Sequence, residues 1–253
     1  MNFFIRLIKM NNVTKKNGNL YYSSFIFLFF LVFLCGSCRQ NQVHLSGKFE
    51  NANKRYLLLS KIVASNDIVF LDTILLLNGN FSHTLIEKEI GIYLLKYDDN
   101  TLLPFIAQNG DKLVFSGDAR NLNKNYNVQG NEETLLLLET WHKLIQFKDK
   151  TKEWAAIFER HKYEDNFEET STYLDSLYYQ EFNSHKKYLT QFILQHKGKL
   201  ATLPAFYQKI GYIAFFDKRK DCDLLQEIYN GLSQTLPNSI YTVDLREMLS
   251  MDY

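Results

Sequence analysis

Short apolar runs separated by turn residues fill the stretch from residue 43 to residue 129, and this pattern predicts strands. Two of the turns contain an Asn-Gly pair, Asn78-Gly79 and Asn109-Gly110, which favours tight hairpins because both residue types tolerate positive φ. The runs recur at intervals typical of a sandwich or barrel. The predicted strands cover residues 43–49, 56–62, 68–77, 81–86, 91–97, 102–107, 112–116 and 126–129.

Beyond residue 130 the apolar positions recur at steps of three and four, which indicates helices. Asn131, followed by Glu132 and Glu133, has the composition of a capped helix start. The clearest periodicity spans residues 167–195 and predicts one buried face of a long helix. The predicted helices cover residues 135–148, 167–195, 203–216, 224–232 and 239–249.

These patterns together predict an α+β fold. An N-terminal antiparallel β-sandwich or open barrel of about eight strands is followed by an α-helical region. Several strands are apolar on both faces, so we expect the helices to cover one of them. The predicted domains are a lipoprotein signal peptide over 1–37, an antiparallel β domain over 38–130 and a helical region over 131–253.

The start of the chain resembles the signal of an exported bacterial lipoprotein. Residues 25–34 are all apolar, but a run of ten is too short for a bilayer, which needs about 20 residues. Basic residues precede the run, and Gly36-Ser37-Cys38 follows it. This order resembles a lipobox, in which Cys38 becomes the first mature residue and carries the lipid.

Three other interpretations of this segment stay open. An uncleaved membrane anchor and a buried core strand are structural alternatives, although the basic flank disfavours the strand. Cys35 and Cys38 also have the C-x-x-C spacing of a redox dithiol. Cleavage would remove Cys35 and acylation would consume the thiol of Cys38, so we expect an anchor and not a redox pair.

Charge and composition exclude some function classes. The first 37 residues contain four of the 29 basic residues and no acidic residue, which leaves 25 basic against 28 acidic residues in the remainder. No basic patch indicates nucleic acid as a partner. Residues 39–42 (RQNQ) lack the acidic residues typical of surface-exported lipoproteins. We therefore expect a periplasm-facing protein, with the outer membrane favoured.

No complete catalytic or metal-binding constellation is present in the sequence, so we expect no catalytic site, metal or cofactor. The histidines are not spaced as ligands of one metal, and the acids flanking Cys222 disfavour a reactive thiolate. Acid pairs suit acid–base chemistry, but they fall in predicted loops and first helical turns. Strand tyrosines suit a groove or, more commonly, a core. The candidates weighed are His44, His83, His142, His161, His185, His196, the pairs Asp98-Asp99, Glu132-Glu133 and Glu168-Glu169, and Tyr93, Tyr97 and Tyr126.

The order of short motifs resembles a known family. The motifs are residues 45–49 (LSGKF), 56–59 (YLLL), 71–74 (LDTI), 78–82 (NGNFS), 91–94 (GIYL), 108–111 (QNGD) and 128–131 (VQGN). They resemble the domain of unknown function at the N-terminus of envelope thiol–disulfide oxidoreductases of Bacteroidota. Residues 188–193 (YLTQFI) and 236–241 (LPNSIY) are similar to phrases of the same proteins' helical linker. The resemblance covers about residues 43–250.

In that family a thioredoxin-like domain with a C-x-x-C motif follows the linker, and this chain ends near that point. The resemblance therefore carries over no catalytic residue. Two functions follow as hypotheses. The first is a membrane-anchored, non-catalytic module that binds or scaffolds a protein partner in the envelope. The alternative is a thiol–disulfide interchange protein whose catalytic domain is missing or separately encoded. A carbohydrate-binding sandwich is a third reading that no particular residue supports.

Overall fold

The computed structural model describes residues 42–63 and 67–250. Eight strands form the N-terminal half, and each coincides with a predicted one, so the prediction of about eight strands is confirmed. Their bounds are β1 Gln42–Glu50, β2 Tyr56–Ile62, β3 Ile68–Leu75, β4 Asn80–Ile86, β5 Gly91–Asp98, β6 Thr101–Ala107, β7 Lys112–Asp118 and β8 Asn127–Gln129.

The strands form two four-stranded sheets, and neither is closed into a barrel. The first sheet has the order β4-β1-β7-β8, and the second has the order β3-β2-β5-β6. The chain passes from one sheet to the other between β1 and β2, between β3 and β4, between β4 and β5, and between β6 and β7. These crossings make the architecture a sandwich, which decides between the two predicted forms.

The prediction of an antiparallel domain is wrong for one pair of strands. β1 and β7 run parallel, with Leu45 opposite Leu113 and Gly47 opposite Phe115. The other pairs in the two sheets are antiparallel. A parallel pair needs a crossover connection, and here β2 to β6 provide it. β7 enters from the second sheet beside β1 in the direction that β1 already runs.

Aromatic side chains fill the space between the sheets. Phe49 packs on Phe81 at a ring-centroid distance of 5.5 Å. Phe105 packs edge-on against Phe115 at 5.3 Å and stacks on Tyr93 at 5.2 Å. Ring pairs at these distances and tilts add to the free energy of burial. The core interpretation of the three candidate strand tyrosines is confirmed, because the side chains of Tyr93, Tyr97 and Tyr126 are all buried.

Helices dominate the C-terminal half. Asn131 caps α2 as predicted, because its side-chain Oδ1 accepts a hydrogen bond from the Thr134 amide at 2.7 Å. α2 continues well beyond the predicted end at residue 148, since Trp154 and neighbouring apolar side chains extend its packed face. The bounds are α1 Leu122–Asn125, α2 Glu132–His161, α3 Phe167–Gln195, α4 Thr202–Phe206, α5 Cys222–Thr235 and α6 Ile240–Ser250.

The predicted helix over residues 203–216 is wrong beyond Phe206. The chain there forms a small hairpin of β9 Lys209–Ile210 and β10 Ile213–Ala214. Gly211 at its tip has φ of +58°, a conformation that glycine adopts at little cost. The spacing of apolar residues in this short segment fits either a helix or a hairpin, so the pattern alone does not distinguish them.

The helices cover the outer face of the second sheet, as the apolar pattern predicted. Ile92 and Ile106 on that face are buried in a second hydrophobic core with α2 to α6. Thr134 ties α2 to the edge of β6, because its Oγ1 donates to the Ile106 carbonyl at 2.5 Å and accepts from the Ile106 amide at 3.1 Å. The described residues form one compact unit. Among the described helices, none is long and apolar enough to cross a membrane.

Candidate functional site

The candidate residues from the sequence fall into separate places. Cys38 lies outside the described residues, so its predicted lipidation stays a prediction. Cys222 is exposed at the start of α5, with its Sγ 3.9 Å from Asp223 Oδ1. Within residues 42–63 and 67–250, no three His, Cys, Asp or Glu side chains cluster as ligands for a metal.

The acid pairs occupy structural positions. Asp99 is exposed and pairs with Lys96 at 2.8 Å, and the hydrogen bond from Lys96 lowers the pKa of the Asp99 carboxyl. Glu133 is partly buried and accepts backbone hydrogen bonds from Leu200 at 3.1 Å and Ala201 at 2.9 Å. Burial raises the Glu133 pKa, and those two bonds oppose the effect. These contacts fix the loop before α4 to the start of α2.

The Glu168 and Glu169 pair lies exposed in the first turn of α3, where the helix dipole stabilises negatively charged side chains. A cavity of about 610 Å³ lies beside the other helical pair, at Glu132 and Glu133. Its two lysines are already paired, Lys199 with Glu132 and Lys197 with Glu227, and Glu133 is held by backbone hydrogen bonds. This arrangement leaves little unpaired charge to bind a ligand.

A second, more apolar pocket of about 280 Å³ lies where the helices cover the second sheet. Ile92 on β5 and Pro104 on β6 form its floor. Leu144 on α2 and Leu203 on α4 form two of its walls, and Tyr241 on α6 closes one end. Five elements therefore converge on one concavity, as is usual for small-molecule sites. We call it the sheet–helix pocket.

Unpaired hydrogen-bond donors characterise the sheet–helix pocket. The Nε1 atom of Trp141 is buried and has no hydrogen-bond partner in the described part of the chain. Lys148 lies two helical turns further along, with its Nζ 5.5 Å from the centroid of the Trp141 ring. Burial lowers the pKa of Lys148, and the like charges of Lys152 and Lys209 lower it further. Lys209 also lines the pocket.

The other polar groups of the sheet–helix pocket are engaged with the protein. The Tyr241 hydroxyl donates to the Ile62 carbonyl at 2.6 Å and accepts from the Ile92 amide at 2.8 Å. The His185 Nε2–H donates to Gln208 Oε1 at 2.9 Å, since that oxygen is only an acceptor. Burial lowers the pKa of His185, so the ring is neutral at pH 7. Gln208 Oε1 and the Tyr241 hydroxyl oxygen therefore each already accept a hydrogen bond.

The open edge of the second sheet is a further candidate surface. β3 pairs with β2 on one side, and its other side has no strand partner among the described residues. The side chains of Ile68, Val69 and Phe70 are 61%, 45% and 59% exposed. Proteins usually protect edge strands with charged residues, proline, bulges or a cover; β3 has Asp72 and a register shift beside it, whereas residues 68–70 carry no charge and no proline. Such an edge is a template for strand addition.

The sequence did not single out Trp141 or Lys148. Trp141, Leu144 and Lys148 recur at three- and four-residue steps on one face of a predicted helix, which is the pattern of ordinary core packing. To predict this site, one must know which lysine lacks a carboxylate partner. That depends on contacts between elements far apart in the chain.

Comparison with known families gives a match that covers the two-sheet region. Residues 43–136 match the family model described as Domain of unknown function (DUF4369). The match begins at β1 and ends in the second turn of α2. It therefore includes the floor of the sheet–helix pocket but stops before Trp141 and Lys148. No curated protein and no solved structure matches the chain.

Proposed function

We propose that the chain is a non-catalytic binding module held by a lipid on Cys38 at the periplasmic side of a bacterial envelope membrane. In this proposal, the DUF4369 region is related to the N-terminal region of envelope thiol–disulfide oxidoreductases. The short motifs and the lipobox-like segment support the family relation and the location. The module holds a protein partner, and the open edge of β3 is the observation on which this rests.

The chemistry of β3 favours an extended segment of another protein as the occupant. An edge strand offers alternating backbone donors and acceptors, and a partner strand satisfies them in register. Side chains of β3 are exposed on both faces of the strand, at Ile68 and Phe70 on one face and at Val69 on the other. An added strand buries apolar surface on both sides of the sheet, which stabilises the complex.

Site-specific crosslinking tests this docking surface. We replace Phe70 by the photocrosslinker benzoylphenylalanine in the full chain, inside the bacterium that encodes it. We expect an adduct with one envelope protein, mapped by mass spectrometry to a single extended segment of that protein. The adduct should be lost when Ile68→Lys places a charge on the edge. The matched control carries the crosslinker at Tyr212, an exposed aromatic residue at the hairpin tip.

Two outcomes would contradict the docking proposal. An adduct of two copies of this chain would show that β3 mediates self-association. Equal adducts from positions 70 and 212 would show that the crosslinking reflects exposure and not a defined surface.

The alternative is a thiol–disulfide interchange protein whose thioredoxin-like catalytic domain is separately encoded. It rests on the similarity of residues 188–193 and 236–241 to the linker of those proteins. This alternative assigns a defined partner to the same edge. If the protein crosslinked at position 70 contains a thioredoxin-like domain with a C-x-x-C motif, the alternative is favoured over a general scaffold.

The anchor has its own test. We expect Cys38→Ala to abolish incorporation of radiolabelled palmitate and to leave the precursor unprocessed. The matched control is Cys35→Ala, which leaves the lipobox cysteine in place and should be processed and labelled like the wild type. Membrane-bound, labelled and normally processed Cys38→Ala protein would exclude the lipoprotein interpretation.

A further inference from the structure

We propose that the sheet–helix pocket binds a small amphipathic carboxylate, with the apolar body of the ligand on the sheet and its carboxylate at Lys148. This site is distinct from the β3 edge, and its occupancy does not depend on the protein partner proposed above. The pocket combines an apolar floor with the ammonium groups of Lys148 and Lys209, and each part specifies one half of the ligand.

The apolar half follows from the lining and the volume. Ile92, Pro104 and Leu144 present hydrocarbon surface, and burying apolar ligand surface against them is favourable. The volume of about 280 Å³ corresponds to nine or so groups of the size of a water molecule, at about 30 Å³ each. A chain of about eight carbon atoms therefore fits.

The charged half follows from the unpaired donors. Lys148, Lys152 and Lys209 form a group of ammonium ions, and no carboxylate of the described residues lies within ion-pair distance of any of them. The nearest acid along α2, Asp149, is paired with Lys124 at 2.5 Å. An anion placed beside Lys148 would relieve the repulsion among the three ammonium groups and form charge-assisted hydrogen bonds.

The unpaired ammonium groups also disfavour neutral and cationic ligands. Gln208 Oε1 and the Tyr241 hydroxyl already hold hydrogen bonds, whereas the Trp141 Nε1–H and the Lys148 ammonium lack acceptors. The Trp141 Nε1 atom is fully covered by protein, so a ligand carboxylate would find its donor in the Lys148 ammonium. A cationic head group would add a fourth like charge to the lysine group.

Tryptophan fluorine NMR tests the proposal, because the chain contains only two tryptophans. The described residues form one compact unit, so a fragment of residues 41–253 is labelled with 5-fluorotryptophan, and Trp154→Phe assigns the two resonances. Octanoate should shift the Trp141 resonance saturably and leave that of Trp154 unchanged. Octyltrimethylammonium, with the same chain and the opposite charge, should cause no saturable shift, and 1-octanol should bind more weakly than octanoate.

Variants of Lys148 locate the carboxylate. We expect Lys148→Met, which keeps the apolar stem, to weaken octanoate binding about tenfold or more, as expected for loss of a charge-assisted hydrogen bond. Lys148→Arg should retain most of the affinity. The matched control is Lys187→Met on the exposed surface of α3, which should bind like the wild type. Circular dichroism confirms that each variant is folded.

Any of three results would overturn the proposal. Equal saturable shifts with octanoate and octyltrimethylammonium would show that charge does not determine binding. Wild-type affinity in folded Lys148→Met would remove Lys148 from the site. A saturable shift at Trp154 as large as that at Trp141 would place the ligand elsewhere.

Discussion

Gly79→Ala is expected to lower the free energy of unfolding by about 2–5 kcal/mol. Gly79 is the second residue of the two-residue Asn78-Gly79 hairpin turn, and its φ is +78°. An alanine in this left-handed conformation costs about 1–2 kcal/mol. A Cβ at this position would also lie 2.2 Å from the Phe49 carbonyl oxygen, so backbone must move, and such overpacking costs about 1–3 kcal/mol.

Gly110→Ala is the matched control for the close approach. Gly110 has φ of +90°, but a Cβ there meets no atom within 4 Å. We therefore expect only the conformational part of the cost, about 1–2 kcal/mol. Urea unfolding at 25 °C measures both variants. Equal destabilisation of the two would show that the turn moves away from β1 without cost, contrary to the packing of Gly79 against Phe49.

Local chemistry explains why the strands were predictable from the sequence. Asn78-Gly79 sits between two apolar runs, and its positive φ values are those that a two-residue hairpin requires. Asn131 similarly predicts the start of α2, because a cap depends only on residues within one turn. Such features are determined by neighbours in the chain, so the pattern of residues is sufficient to predict them.

Pairing between distant segments was not predictable in the same way. The parallel pairing of β1 with β7 depends on where the chain re-enters the first sheet after crossing to the second. No residue in either strand specifies that neighbour. The pattern at residues 209–214 predicts helix where a hairpin forms, because a segment so short does not distinguish a period of two from a period of 3.6.

The lysine of the sheet–helix pocket illustrates this limit at a candidate site. Lys148, Asp149 and Lys150 are consecutive, so the sequence presents an acid between two bases. Successive residues on a helix point in different directions. Asp149 therefore reaches Lys124, and Lys150 reaches Glu181 at 2.7 Å. Lys148 lines the pocket without a carboxylate partner, and only the packed arrangement of five elements reveals this.

Tyr241→Phe is expected to lower the free energy of unfolding by about 2–4 kcal/mol. The Tyr241 hydroxyl bridges two residues that face each other across β2 and β5, donating to the Ile62 carbonyl and accepting from the Ile92 amide. Burial raises the pKa of Tyr241 to about 12, so the hydroxyl keeps its proton to donate. Removing it leaves the buried Ile92 amide unsatisfied, at about 1–3 kcal/mol, and leaves the part-buried Ile62 carbonyl without this partner, at about 1 kcal/mol.

The size of this effect distinguishes a structural bridge from an incidental contact. Tyr212→Phe removes a hydroxyl from a fully exposed tyrosine, and we expect it to leave the free energy of unfolding within about 0.5 kcal/mol of the wild type. A loss below about 1 kcal/mol in Tyr241→Phe, measured by the same urea titration, would mean that Ile62 and Ile92 bond to each other or to water instead. Because Tyr241 also closes the sheet–helix pocket, a large loss would establish that α6 is held to the sheet at the end of that pocket.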